Sequence, residues 1–335
     1  MAKKLFSWFS IILLLSSCAG ETADFVNITG FTQGSTYSIT YSGKYNRSKN
    51  RVQKDITAIL DEVDKSLSVY NESSVISAIN RNEEVKTTPM FNQVFSLSMK
   101  ISAETDGAFD ITVMPLVKAW GFGPDRKKSF ERSKLDSLLD LVGFRKVRLE
   151  NNRVIKDKPG MKLDVNAIAQ GYTVDVICRY FEKHHVRNYL VEVGGEVRAA
   201  GTKNGNPWRI GIDKPVDNNI FPGNDLEAVV LLTDKALATS GNYRKFYVED
   251  GVKYSHEINP ITGYPARNRL LSASIVADDC ATADAIATAC MVMGLEKSIE
   301  FLGKRPDLQG YLVYGDEKGD FKTWTSDSLK GNIEE

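Results

Sequence analysis

The order in which two hydrophobic periods follow one another restricts this chain more than any other feature. Apolar residues recur at helical spacing early, at Val52, Ile56, Ile59, Leu60, Val63 and Leu67, and the spacing predicts one helix there. A second is predicted over residues 89–105 from Phe91, Val94, Phe95 and Ile101, with Pro89 tolerated in its first turn. Ser133 is placed to cap a third, carrying Leu135, Leu138, Leu139 and Val142. Residues 167–185 predict a fourth, and an Ala-rich helix is expected over 281–302. Strand-like alternation marks residues 36–41, and residues 146–156 read as a hairpin around Asn151-Asn152. Further strands are expected at Tyr189–Val193, which ends on Gly194-Gly195, and at 208–212, 228–232, 271–277 and 310–314. Most later strands follow one another through turns or short loops. The expected fold is therefore α+β: a single mixed domain, with two lobes as a variant, built on a mainly antiparallel sheet rather than on regular βαβ units.

The N-terminus sets the compartment. Lys3 and Lys4 precede an apolar run, Ile11-Ile12-Leu13-Leu14-Leu15, that leads into Ser16-Ser17-Cys18, the pattern of a signal peptide ending in a lipobox. The run is far shorter than the roughly 20 apolar residues that span a bilayer. The expected division is a leader at residues 1–17, a tether at 18–27 that hangs from a lipidated Cys18, and one domain at 28–330. That places the domain at a cell membrane, lipid-anchored, facing the periplasm or the cell exterior.

Basic and acidic residues number 43 each, and loss of Lys3 and Lys4 leaves the mature chain nearly neutral. Nothing in that balance points to nucleic acid. Beyond Cys18 only Cys178, Cys280 and Cys290 remain, all in apolar stretches with no CxxC pair. Structural disulfides and a zinc site are not expected, and the three thiols read as small core residues.

Four segments carry chemistry, the first three with a plainer reading beside them. Thr105 to Thr112 (TDGAFDIT) reads as a turn feeding a strand, with an aromatic ring beside a carboxylate. Such a turn can stack a planar ligand, or it can simply pack. Leu163 to Tyr172 (LDVNAIAQGY) puts Asp164 and Asn166 at a helix start and a glycine, Gly171, that interrupts the helix. It exposes backbone groups to a ligand, or merely caps. On the Ala-rich helix, Asp284 and Thr288 lie four residues apart and so share a face. Two hard oxygens one turn apart suit Mg²⁺, and they equally suit a solvated face. Tyr254 to Gly263 (YSHEINPITG) carries His256, one of three histidines, at a strand end where a general base can sit. His184 and His185 fall at the polar end of a helix. No GxGxxG and no GxxxxGK[ST] is present, so a nucleotide must be held by other means.

Taken together and in order, these segments resemble the FAD:protein FMN transferase (ApbE) family. Supporting stretches are Leu67-Ser68-Val69-Tyr70 followed by Asn80, Pro115 with Trp120-Gly121-Phe122-Gly123, Glu192-Val193-Gly194-Gly195-Glu196, and Thr239-Ser240-Gly241-Asn242-Tyr243. The resemblance implies FAD in a cleft, contacted at Tyr70, Ala108, Phe109, Asp110, Asp164, Gln170, Ser240 and Ile258. It implies Mg²⁺ held by Asp284, Thr288 and the carbonyl of Ala167, with His256 and Asp284 catalytic. The implied reaction moves FMN from FAD to a Thr or Ser hydroxyl of an acceptor flavoprotein, such as a subunit of a membrane redox complex, and releases AMP. FAD hydrolysis to FMN and AMP, or flavin binding without catalysis, are the rival readings. Gln33, Gln170 and Asn259 depart from the family's usual pattern, whereas the metal and histidine positions match it.

Overall fold

The computed structural model describes residues 24–122, 130–216, 223–243, 246–249, 252–318 and 320–334. The leader, Cys18 and Gly123 lie outside the described residues. The chain opens with an antiparallel hairpin, β1 (Phe25–Thr32) and β2 (Ser35–Ser42), turned at Gln33-Gly34. Since β1 starts at Phe25, residues 25–27 belong to the fold rather than to the expected tether. Helices follow: α1 (Lys49–Leu67), α2 (Val75–Asn80), α3 (Pro89–Glu104), α4 (Met114–Ala119) and α5 (Leu135–Leu139). The β3 (Val147–Glu150) and β4 (Arg153–Lys156) hairpin leads to α6 (Asn166–Lys183), β5 (Tyr189–Val193), β6 (Glu196–Ala200), β7 (Trp208–Asp213), β8 (Leu226–Leu232) and β9 (Ala236–Gly241). A small hairpin, β10 (Phe246–Glu249) and β11 (Val252–Ser255), precedes β12 (Leu270–Ala277), α7 (Cys280–Met293), α8 (Leu295–Gly303), β13 (Gln309–Gly315), β14 (Phe321–Thr325) and β15 (Ile333–Glu334).

The main sheet has the order β1-β2-β5-β6-β9-β12-β13-β14, with every neighbouring pair antiparallel. The period of two along its strands serves two cores. Ala273 and Ile275 of β12 and Leu312 of β13 join the helical layer of α1, α3, α6 and α7. Val276, Tyr311 and Val313, one residue out of step, pack against Trp208, Ile210, Val230 and Leu232 of the small sheet β15-β8-β7. A third cluster joins Val52 and Ile56 of α1 and Phe181 of α6 to Ile39 and Val191. The mixed, mainly antiparallel α+β expectation is met.

Helix starts are set by side chains that satisfy orphan N–H groups. Ser48, Ser74 and Thr88 cap α1, α2 and α3, and Asp279 caps α7 through Thr282 N–H at 2.8 Å. Four expectations need correction. The Ala-rich helix over 281–302 is two helices, because Gly294 at φ 80° ends α7 in a conformation that favours glycine. Ser133 caps nothing: it sits inside a 3₁₀ turn at Arg132–Lys134, and α5 stops at Leu139, short of Val142. Residues 105–112 do not feed a strand but a turn and then α4, since Asp106 and Gly107 take positive φ and Asp110 closes the loop. Gly171 does not interrupt α6; the departure from helical geometry is at Ala167.

Candidate functional site

The centre of the site is the crossing of α6 and α7. A Cβ at Gly171 would lie 2.8 Å from Asp284 Cβ and would press into the Cys280 carbonyl, so only glycine permits this approach. With the helices this close, Gly171 N–H donates to Asp284 Oδ2 at 3.0 Å. In an uninterrupted α-helix that N–H would serve the carbonyl four residues back, which is Ala167. Ala167 itself has φ −83° and ψ 16°, which turns its carbonyl off the helix ladder. One turn along α7 from Asp284, Thr288 Oγ1 lies 3.2 Å from Ser240 Oγ on β9. Asp284, Thr288, the Ala167 carbonyl and Ser240 thus come from three elements that meet at one crossing.

The electrostatics there are unbalanced. Asp284 is only 6% exposed, and its carboxyl is pushed up to about 7, first by burial and then by the charge of Asp175, against the pull of the Gly171 N–H. Among the described residues no cationic side chain pairs with it. Asp175 lies four residues after Gly171 on α6 and accepts from Cys280 N–H at 3.0 Å and Ala281 N–H at 2.9 Å, anchoring the positive end of α7. Arg198 supports Asp175 at 3.2 Å, and burial raises the Asp175 carboxyl to about 6. The donor chemistry fits a hard divalent cation: one buried carboxylate without countercharge, a hydroxyl one turn on, and a carbonyl released from its ladder. Among the described residues no cluster of three His, Cys, Asp or Glu side chains is placed to hold a metal, so such an ion depends on Asp284 for its protein charge.

A second wall is built by the 105–112 loop. Asp110, 7% exposed, accepts from Thr112 N–H at 2.7 Å and Thr112 Oγ–H at 2.6 Å through Oδ1, and from Phe144 N–H at 2.7 Å through Oδ2. Its carboxylate is committed to holding the loop. Ala108 and Phe109 are also buried, and the Phe109 ring belongs to the main core, so the ring is not presented for stacking as the sequence suggested. Asp164 joins this wall, with its N–H donating to the Ile111 carbonyl at 2.7 Å and its Oδ1 accepting from Asn166 N–H at 2.9 Å. Asn80 clamps the backbone beside it, bonding both the N–H and the carbonyl of Leu163. Gln170 lies against the Gly194-Gly195 turn, where a Cβ on Gly194 would collide with its amide. Tyr70 stands at the surface, 64% exposed.

The third wall carries His256 at the end of β11. Ile258 is buried with Leu116, Trp120 and Val142, and Trp120 Nε1–H donates to the Gly263 carbonyl at 2.8 Å. Asn259 Oδ1 accepts from Ile261 and Thr262 N–H at 2.8 and 3.1 Å, and its backbone carbonyl accepts from Gly263 N–H at 2.8 Å, so a neutral amide helps to close this turn. Leu116 of α4 packs against this wall, since a Cβ on Gly263 would touch it and two leucines of α5. The imidazole of His256 faces the ring of Phe122 at 6.5 Å between centroids and the carboxylate of Glu257 at 3.4 Å. Sequence reasoning overlooked Asp175, which looked like one polar residue on an apolar helix face, and Glu257. Their signals were the i,i+4 spacing from Gly171 and a direct neighbour in sequence to His256.

Comparison with known proteins covers nearly the whole chain. The model of the ApbE family matches residues 33–312. The FAD:protein FMN transferase of Vibrio cholerae is 34% identical over 327 residues, covering 95% of this chain and 96% of the relative. That of Haemophilus influenzae is 33% identical over 344 residues, covering 98% of each. Among solved structures, the flavin transferase ApbE from Vibrio cholerae superposes with a TM-score of 0.83 at 33% identity, covering 92% of this chain and 99% of that one. This chain belongs to the ApbE family.

Proposed function

We infer that this protein transfers FMN from FAD to a protein, as the names of its relatives state for them, and that it does so with Mg²⁺ onto a Thr or Ser hydroxyl, releasing AMP. The observation that carries the metal is the buried Asp284 carboxylate without countercharge, one turn from Thr288 and in bond with the glycine N–H that would otherwise satisfy Ala167. Mg²⁺ bound there supplies charge neutralisation for the pyrophosphate oxygens of FAD, whose negative charge a nearly neutral chain lacking a phosphate loop must otherwise leave unmet. Asp284, Thr288 and the Ala167 carbonyl hold it, and Gly171 and Asp175 fix the distance between their helices.

His256 takes the proton of the acceptor hydroxyl as its oxygen bonds to the FMN phosphorus, and the bond from that phosphorus to the AMP oxygen breaks. The Asp110 and Asn259 turns hold the two other walls of the cleft, and flavin contacts fall to the backbone and edges around Ala108, Asp164, Gln170, Ser240 and Ile258. Tyr70, exposed at the surface, is the ring that closes over the isoalloxazine.

The acceptor is a flavoprotein subunit of a membrane redox complex, because the chain is tied close to a bilayer. Lipidation at Cys18 leaves seven residues, 18–24, before β1, a reach of about 25 Å fully extended. No described helix is long and apolar enough to cross a membrane. One incubation tests the whole reading: FAD, Mg²⁺ and a candidate acceptor, followed by in-gel flavin fluorescence and AMP detection. A fluorescent acceptor band supports transfer; AMP without it means hydrolysis, and neither product means a flavin binder.

A further inference from the structure

We propose that Glu257 is a positioning residue for His256, holding the imidazole in the tautomer that leaves Nε2 as the basic nitrogen. The proposal deepens the reading of His256 as base and rests on it. Glu257 is a buried acid that directly follows His256 in the chain. Its side chain is 4% exposed, and neither Oε1 nor Oε2 has a hydrogen-bond partner. A buried carboxylate is retained only where something compensates its charge. Among the described residues no backbone N–H donates to either carboxylate oxygen, and Ala266 N–H donates instead to the Glu257 main-chain carbonyl at 2.7 Å. The charged or ionisable group at ion-pair distance is His256, whose Nδ1 lies 3.4 Å from Oε1.

The two residues are neighbours in sequence, and in a continued strand their side chains would point to opposite faces. The strand stops at Ser255 and the chain turns, so both side chains meet on one side. A small rotation of the imidazole makes an Nδ1–H bond to the carboxylate. The backbone that follows is pinned by the Ile258–Pro265 bridge and by the Asn259 bonds to Ile261 and Thr262, and the ring of Phe122 lies 6.5 Å from the imidazole between centroids. With Nδ1 carrying the ring proton, Nε2 holds the free electron pair. When Nε2 takes the proton of the acceptor hydroxyl, both ring nitrogens are protonated and the positive charge forms beside the Glu257 carboxylate. The attraction between the two groups is thereby strongest in the transition state, where the imidazolium appears.

The test uses the full chain with Glu257→Gln and Glu257→Leu, and His256→Ala to assign the ring signals among the three histidines. In ¹⁵N-histidine spectra the parent shows the Nδ1–H tautomer at His256, Glu257→Gln keeps it through the amide oxygen, and Glu257→Leu loses it. In steady-state AMP release, kcat falls about 10-fold for Gln and about 100-fold for Leu, with KM for FAD within twofold of the parent. A purely structural role predicts the reverse: lowered melting temperature and raised KM, with the tautomer unchanged. Retention of the parental tautomer and kcat in Glu257→Leu overturns the proposal. Should that variant fail to fold, parental kcat in Glu257→Gln overturns it equally. Unchanged turnover in His256→Ala overturns the base reading instead, while the tautomer data still decide whether Glu257 orients the ring.

Discussion

The sharpest consequence of the α6–α7 crossing is that Asp284→Asn should make the metal-free protein more stable while abolishing its turnover. Asp284 ionises near 7 in the fold against an ordinary 3.8, and each tenfold change in proton affinity is about 1.4 kcal/mol. Keeping the carboxylate charged without an ion therefore costs the fold at most about 5 kcal/mol, of which Asp175 carries a share through its own charge. Because the folded value is the raised one, the sign is fixed. The penalty is absent below pH 3.8, grows as pH rises, and is complete above about 7. Asparagine keeps an oxygen for the Gly171 N–H but carries no charge. In EDTA at pH 8 the variant should melt several degrees above the parent, on a scale of about 2–4 °C per kcal/mol, and the gap should close toward pH 4. With Mg²⁺ the order reverses. The parent gains by mass action, about 2.7 kcal/mol at a hundredfold excess over Kd, and the variant gains little. Differential scanning fluorimetry across pH and Mg²⁺, with AMP release alongside, reads both. A variant that melts below the parent in EDTA at pH 8, or that responds to Mg²⁺ as the parent does, would refute the claim that Asp284 is a carboxylate awaiting a cation.

Thr288→Val should raise the Mg²⁺ requirement and be rescued by excess Mg²⁺, because a water can replace a neutral oxygen; a titration of AMP release that stays flat would count against Thr288 as a ligand. Gly171→Ala gains helix propensity of about 1 kcal/mol, yet its methyl meets Cys280 and Asp284, so the melting temperature and turnover should both fall; an unchanged melt would mean that the helices are free to part. His256→Ala should slow transfer about 10²–10⁴-fold while FAD binding, followed by flavin fluorescence, is retained; equal loss of both would make the histidine a turn support. Cys18→Ser should release an active enzyme into the soluble fraction on membrane fractionation, and continued membrane association would remove the anchor.

What was legible in the chain divides by range of interaction. Elements whose signal is their own periodicity were readable: α1 buries Val52, Ile56, Leu60, Val63 and Leu67 as its spacing requires, and β2 buries Tyr37, Ile39 and Tyr41 in alternation. Elements whose signal belongs to their neighbours were not. β9 carries Ala-Leu-Ala-Thr-Ser-Gly, too small to read as a strand, because it lies at the middle of the sheet with α7 against it, where only small side chains fit. The break at Gly294 was hidden by apolar residues on both sides, although a glycine closing a helix at positive φ is a known stop.

The same division runs through the site. Asp284 and Thr288 were visible because four residues separate them on one helix, and His256 because histidines are scarce. Their partners were invisible because proximity across elements makes them. Gly171 looked like a helix break and is a contact surface that hands its N–H to Asp284; Phe109 looked like a stacking ring and is core; Asp110 looked like a ligand contact and is the latch of its own loop. In each case the local pattern marked the segment, and the structure adds a packing or hydrogen-bonding role that the pattern did not contain. A segment is marked by residue type, whereas a role depends on which donors the fold brings to it. Asp110 meets three donors and becomes structural, while Asp284 meets one and is left with a charge that the fold does not neutralise. Counting satisfied against unsatisfied acceptors therefore separates the two carboxylates, which the sequence alone presents as equals, and it is the reason the proposed ion is placed at Asp284 rather than at Asp110.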